Sequence, residues 1–155
     1  MIAKQILRSV LLVIVLGSLL TWAGREYQKS HAAPAHGEKL PVVAGNQVVM
    51  TYFISGTRCE SCRKIEALAR ETAEKDFPDA LAEKRLVFRV IDTGEAGNGH
   101  YAKDYQLSSK TVILSHRKDG KETAWKDMAG VWDRLDDAQA FHDYLGRQIR
   151  EFLGS

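Results

Sequence analysis

The chain has 155 residues, 45% hydrophobic and 27% charged, which fits one ordinary globular domain plus an appendage and excludes wholesale disorder or a collagen-like chain. A net charge of +2 lacks the basic excess of a nucleic-acid binder, so no nucleic-acid partner is expected. Two cysteines, Cys59 and Cys62, are too few for a disulfide-rich scaffold or for a metal site built from cysteine alone.

The charge is unevenly placed. Residues 1–36 carry four basic residues and one acid, whereas residues 37–155 carry 18 basic and 19 acidic residues. The basic start, with Lys4 and Arg8, runs into Ser9–Gly24, sixteen residues without a charge. Residues 1–29 therefore read as a membrane anchor or a signal segment. Sixteen helical residues span about 24 Å, against a hydrocarbon core of roughly 30 Å. Ile6 and Leu7 lengthen the apolar stretch if Arg8 snorkels, and Trp22 and Tyr27 suit the membrane boundary. Thr21-Trp22-Ala23 has the small-x-small form of a cleavage site. Two readings follow: a retained anchor crossing at residues 9–24, with the domain on the extracytoplasmic (periplasmic or outer) side, or a secreted or periplasmic domain after cleavage.

Residues 30–46 form a linker and leading turn, with Pro34, Gly37, Pro41, Gly45 and Asn46. The domain occupies 47–155. Gln47–Ile54 is β-branched and aromatic, a buried strand. After the turn Ser55–Arg58, Glu60–Asp76 is helical, with Ile65, Leu68, Ala69 and Thr72 at i, i+3, i+4 and i+7. Pro78 ends it, and Asp79–Lys84 adds a short helical turn. Arg85–Thr93 is a second strand, and the helix between the two suits a parallel crossover. A glycine-containing loop, Gly94–Gly99, leads to a short helix over His100–Gln106. Thr111–Ser115 is a third strand, Asp119-Gly120 a hairpin turn and Glu122–Lys126 the returning strand. Gly130–Leu135 makes a helical turn, and Asp136–Leu153 closes the chain as an amphipathic helix. The expected fold is α/β, ordered β-α-β-(α)-β-β-α around a mixed four-stranded sheet, after an N-terminal transmembrane or signal helix.

Cys59-Glu60-Ser61-Cys62 falls where the first strand gives way to the first helix. A helix N-terminus offers unpaired N–H groups and a positive dipole end, which stabilise a thiolate at Cys59. Arg58, Arg63 and Lys64 add positive charge nearby, partly opposed by Glu60. One helical turn brings Cys62 within reach of Cys59. The pattern points to dithiol redox chemistry, in which Cys59 attacks a partner disulfide and Cys62 resolves the mixed disulfide. A purely structural bridge across so short a loop constrains the unfolded chain little. A closed zinc site lacks ligands, because His100, His116 and His142 are scattered, whereas a two-coordinate thiophilic ion needs only Cys59 and Cys62 and stands as the alternative. Glu95–Gly99 is not a GxGxxG loop and does not follow the first strand, so no nucleotide site is expected.

These residues resemble the thioredoxin superfamily over about 47–153. More narrowly, the chain is similar to small thioredoxin-like proteins labelled ArsF family in arsenic-resistance gene neighbourhoods. The shared features are Gly56-Thr57-x-Cys59-x-x-Cys62-Arg63-Lys64-Ile65-Glu66, Lys103-Asp104-Tyr105-Gln106-Leu107 and a Trp-x-x-Leu segment within Val131–Leu135. The residues point to a membrane-anchored thiol–disulfide oxidoreductase with a protein disulfide or dithiol as partner or, alternatively, to a vicinal-dithiol module or chaperone in which Cys59 and Cys62 hold a thiophilic ion such as arsenite or Cu(I). The resemblance implies an N-terminal membrane segment and a link to arsenic or metal stress. The family's nitroreductase label implies flavin-type chemistry, for which the sequence offers no site, so no cofactor is expected.

The chain departs from the superfamily at three points. Thr111 stands where the cis-proline facing the dithiol is expected. A cis bond before a non-proline residue costs about 3 kcal/mol, so a trans peptide and a hydroxyl facing the cysteines are expected there. Phe53 stands at the position of the buried acid, and Arg58 at that of the tryptophan before the first cysteine. The expected site is thus Cys59 and Cys62, supported by Arg58, Arg63 and Thr111.

Overall fold

The computed structural model describes residues 40–154; the expected N-terminal segment and most of the linker lie outside them. Four strands, β1 (Asn46–Ile54), β2 (Leu86–Asp92), β3 (Thr111–Lys118) and β4 (Lys121–Asp127), form one sheet ordered β2-β1-β3-β4. β1 pairs parallel with β2 and antiparallel with β3, and β3 pairs antiparallel with β4. The helices are α1 (Glu60–Asp76), α2 (Pro78–Ala82), α3 (His100–Asp104) and α4 (Ala138–Leu153), with a 3-10 turn at Ala129–Arg134. This is the α/β order expected, with its mixed four-stranded sheet.

The two-residue side-chain period of the strands divides the interior. On one face Val48, Met50, Tyr52 and Ile54 of β1 join Leu86, Phe88 and Val90 of β2 and Val112 and Leu114 of β3. They pack on Ile65, Leu68 and Ala69 of α1 and on Phe141, Leu145 and Ile149 of α4. On the other face Phe53, Ile91 and Ile113 meet Tyr101, Tyr105 and Leu107, contributed by α3 and the chain just after it. All four residues at the expected i, i+3, i+4, i+7 positions of α1 are buried.

Helix ends follow local chemistry. Asp137 caps α4, its carboxylate accepting from the Ala140 N–H at 2.9 Å. Pro78 at the first position of α2 separates it from α1. At the β3–β4 hairpin both Asp119 (φ +50°) and Gly120 (φ +80°) are left-handed, the twist a two-residue turn requires. β3 runs three residues beyond the expected Ser115, because Asn46, Gln47 and Val48 pair with Lys118, Arg117 and His116. A local pattern does not encode that long-range pairing. Gln47, buried at the start of β1, donates from its amide to the carbonyls of Pro41 (3.1 Å) and Lys84 (2.9 Å), fixing the leading turn to the start of β2.

Candidate active site

The site lies beyond the C-terminal end of β1, where three loops converge. β1 ends at Ile54, and Gly56 adopts φ +62°, a left-handed value that glycine takes without a steric penalty. The Asp92 carboxylate at the end of β2 accepts from the Gly94 N–H at 2.8 Å and the Gly56 N–H at 3.4 Å. One side chain thus ties the turn before α1 to the loop after β2.

Cys59 is the N-cap of α1. Its backbone is extended (φ −75°, ψ 169°), and its sulfur accepts from the Cys62 N–H at 3.2 Å. Cys59 and Cys62 are joined in a disulfide, with Cα atoms 5.0 Å apart. The two sulfurs are unequally accessible: Cys59 is exposed, whereas Cys62 is 1% exposed. An incoming thiolate therefore meets Cys59 first. That geometry suits sequential exchange, in which attack on one sulfur releases the other.

The expected supporting residues are placed differently from their anticipated roles. The Arg58 guanidinium pairs with Glu66 at 2.6 Å, and Arg63 donates to the Arg58 carbonyl at 3.2 Å, so both cations engage other groups near the dithiol. Thr111 is buried behind a trans peptide, and its hydroxyl donates to Asp127 of β4 at 2.5 Å. The hydroxyl expected to face the cysteines is therefore bound within the sheet. The cause is register: Thr111 opposes Phe53, which fixes its backbone and brings its side chain to the end of β4. Phe53 is fully buried on the face away from α1, against Tyr101 and Tyr105 at 5.3 Å between ring centroids.

The cation at the sulfurs is one the sequence reading did not select. Lys110, the last residue before β3, donates its ammonium to the Thr57 carbonyl at 2.5 Å and lies 3.5 Å from the Cys62 sulfur. Its own carbonyl accepts from the Trp132 indole N–H at 2.8 Å, which anchors the loop to the 3-10 turn. A basic residue just before the strand that faces the dithiol was the available signal. Beside Lys110 a small open cleft of about 110 Å³ has Phe53 and Leu107 as apolar lining and Ser55, Thr93, Ser108 and Ser109 as hydroxyl lining. Among the described residues no group of three or more His, Cys, Asp or Glu could hold a metal ion.

Tyr52 is 0% exposed, and its hydroxyl has no hydrogen-bond partner among the described residues. Burial, reinforced by the Glu66 charge and opposed by Arg58, pushes its phenol up to about 12. The unfolded side chain ionises near 10. The native state therefore holds the proton more tightly than the unfolded state, and stability falls as pH rises from about 10 to 12, by roughly 2–3 kcal/mol. Tyr52→Phe removes the unpartnered hydroxyl, so it is expected to raise stability at neutral pH by about 1 kcal/mol and to flatten the alkaline decline. Urea denaturation at pH 7 and pH 11 measures both effects.

No protein-family model and no curated protein matches the chain. Among solved structures it is similar to thioredoxin from Fasciola hepatica, at 18% identity over 67% of this chain and 82% of that one, TM-score 0.40. It is also similar to a mutant thioredoxin from Halobacterium salinarum, at 20% identity over 74% of this chain and 91% of that one, TM-score 0.42. A third likeness is to the zinc-bound form of human ERp44, at 18% identity over 66% of this chain and 26% of that one, TM-score 0.46.

Proposed function

We propose that the chain is a thiol–disulfide oxidoreductase whose redox centre is the Cys59–Cys62 pair, with a protein disulfide or dithiol as its partner. The observation that carries the reading is the disulfide at the N-terminus of α1, with Cys59 exposed and Cys62 buried. Such an arrangement exposes one sulfur to attack while keeping the other in place to resolve the mixed disulfide. In the reading Cys59 is the sulfur that bonds to the partner and Cys62 the resolving or leaving sulfur.

Lys4 and Arg8 ahead of the uncharged run Ser9–Gly24 support a membrane anchor with the domain on the extracytoplasmic side, where disulfides persist. The Gly56–Glu66 and Lys103–Leu107 stretches, similar to the ArsF-labelled proteins, support a role in arsenic or metal stress.

The test is capture of the partner. Cys62→Ser, expressed as the full chain, leaves Cys59 able to form a mixed disulfide that the chain itself cannot resolve. The expected result is one or a few reductant-sensitive adducts on a non-reducing gel, absent when Cys59 is also replaced. A Cys62→Ser chain that forms no adduct beyond that double variant overturns the reading.

A further inference from the structure

The two sulfurs have different electrostatic partners. Cys59 caps α1 and receives the Cys62 N–H, so a thiolate there meets the positive end of a helix. Cys62 has the Lys110 ammonium 3.5 Å from its sulfur. Lys110 is half-buried as a residue, and its ammonium is held in place because it also donates to the Thr57 carbonyl and the Lys110 backbone is anchored by Trp132. A charge held in a half-buried site acts more strongly than one in open water.

We infer that Lys110 stabilises Cys62 as a leaving thiolate and thereby makes the Cys59–Cys62 disulfide an oxidant of partner dithiols. The inference rests on the oxidoreductase reading above and adds its direction. A partner thiolate attacks the exposed Cys59 sulfur. A bond forms between those sulfurs, the Cys59–Cys62 bond breaks, and Cys62 leaves with the electron pair as a thiolate beside Lys110. The partner's second thiolate then attacks its own sulfur in the mixed disulfide, and Cys59 leaves as a thiolate at the N-terminus of α1. The partner dithiol has lost two electrons and become a disulfide; the chain's disulfide has gained them. The two thiol protons go to water or to the new thiolates, according to pH. A cation that favours the reduced pair shifts this equilibrium towards partner oxidation.

The test equilibrates the full chain in glutathione redox buffers and measures the dithiol fraction for wild type, Lys110→Met, Lys110→Gln and Lys110→Arg. The uncharged variants are expected to move the equilibrium at least tenfold towards the disulfide, a potential about 30 mV more reducing. Arg, which keeps the charge, is expected to recover most of the shift. A shift below threefold in both uncharged variants, or one that Arg does not recover, overturns the inference: the contact is then structural. Wild type that fails to exchange with glutathione at all overturns the oxidoreductase reading itself, so the two failures are distinguishable. If one uncharged variant does not fold, the other decides.

Discussion

Cys59→Ser is expected to reduce disulfide exchange to the uncatalysed background. Either cysteine variant removes the same cross-link. In the chain-entropy account, closing a four-residue loop contributes about 2 kcal/mol, so both variants lose a similar stability. Their chemistry differs, because only Cys59 is accessible to an incoming sulfur, whereas Cys62 is buried. Cys59→Ser therefore removes the sulfur proposed to bond to the partner. Cys62→Ser keeps it and stops after the first step, with the partner attached. Exchange with a glutathione-linked reporter, measured beside urea denaturation of the same samples, checks both halves. Equal residual activity in the two variants, or activity that follows stability alone, would sink the assignment of roles.

The largest effect on stability is expected from Phe141→Ala. Phe141 is wholly buried on α4 against the α1 side of the sheet, in the cluster that also contains Leu145, Ile149 and the β1 residues Val48, Met50 and Tyr52. Removing a buried aromatic ring costs about 3–5 kcal/mol, the transfer loss plus the cavity left behind. That is a large share of a domain stability of about 5–15 kcal/mol. Trp125 is the control. It is 37% exposed on the edge strand β4 and touches Tyr105 edge-to-face. Trp125→Ala is expected to cost roughly 1 kcal/mol, mostly the aromatic pair. Equilibrium denaturation in urea distinguishes the two, and a Phe141→Ala loss no larger than that of Trp125→Ala would contradict the packing described.

Much of this arrangement is legible in local sequence. Ile65, Leu68, Ala69 and Thr72 mark the buried side of α1, and Pro78 marks its end, because helical periodicity and proline chemistry act over a few residues. Asp119-Gly120 marks the hairpin because its backbone needs two left-handed residues. The dithiol is legible for the same reason: four consecutive residues hold both sulfurs. What local pattern does not carry is contact across the fold. The length of β3 depends on pairing with Asn46–Val48. The sulfur's cation comes from Lys110, 48 residues along the chain from Cys62. Arg58 and Arg63 are nearer in sequence, but each is engaged elsewhere, Arg58 by Glu66 and Arg63 by the Arg58 carbonyl. The Thr111 hydroxyl was expected at the dithiol and goes to Asp127, because strand pairing fixes its direction.

The clamp at Gln47 has a mechanical consequence. The described chain enters β1 at Asn46 and reaches the turn before the disulfide after Ile54, nine residues of strand that extend about 26 Å. β1 is hydrogen-bonded along both sides, to β2 and β3. A pull applied along β1 from its first residue loads those two ladders in shear, with many bonds sharing the force instead of opening one at a time. The Gln47 amide adds a fastening to Pro41 and Lys84 at the loaded end. Tension at that end is thus borne by the sheet's interior, one strand length away from the sulfurs.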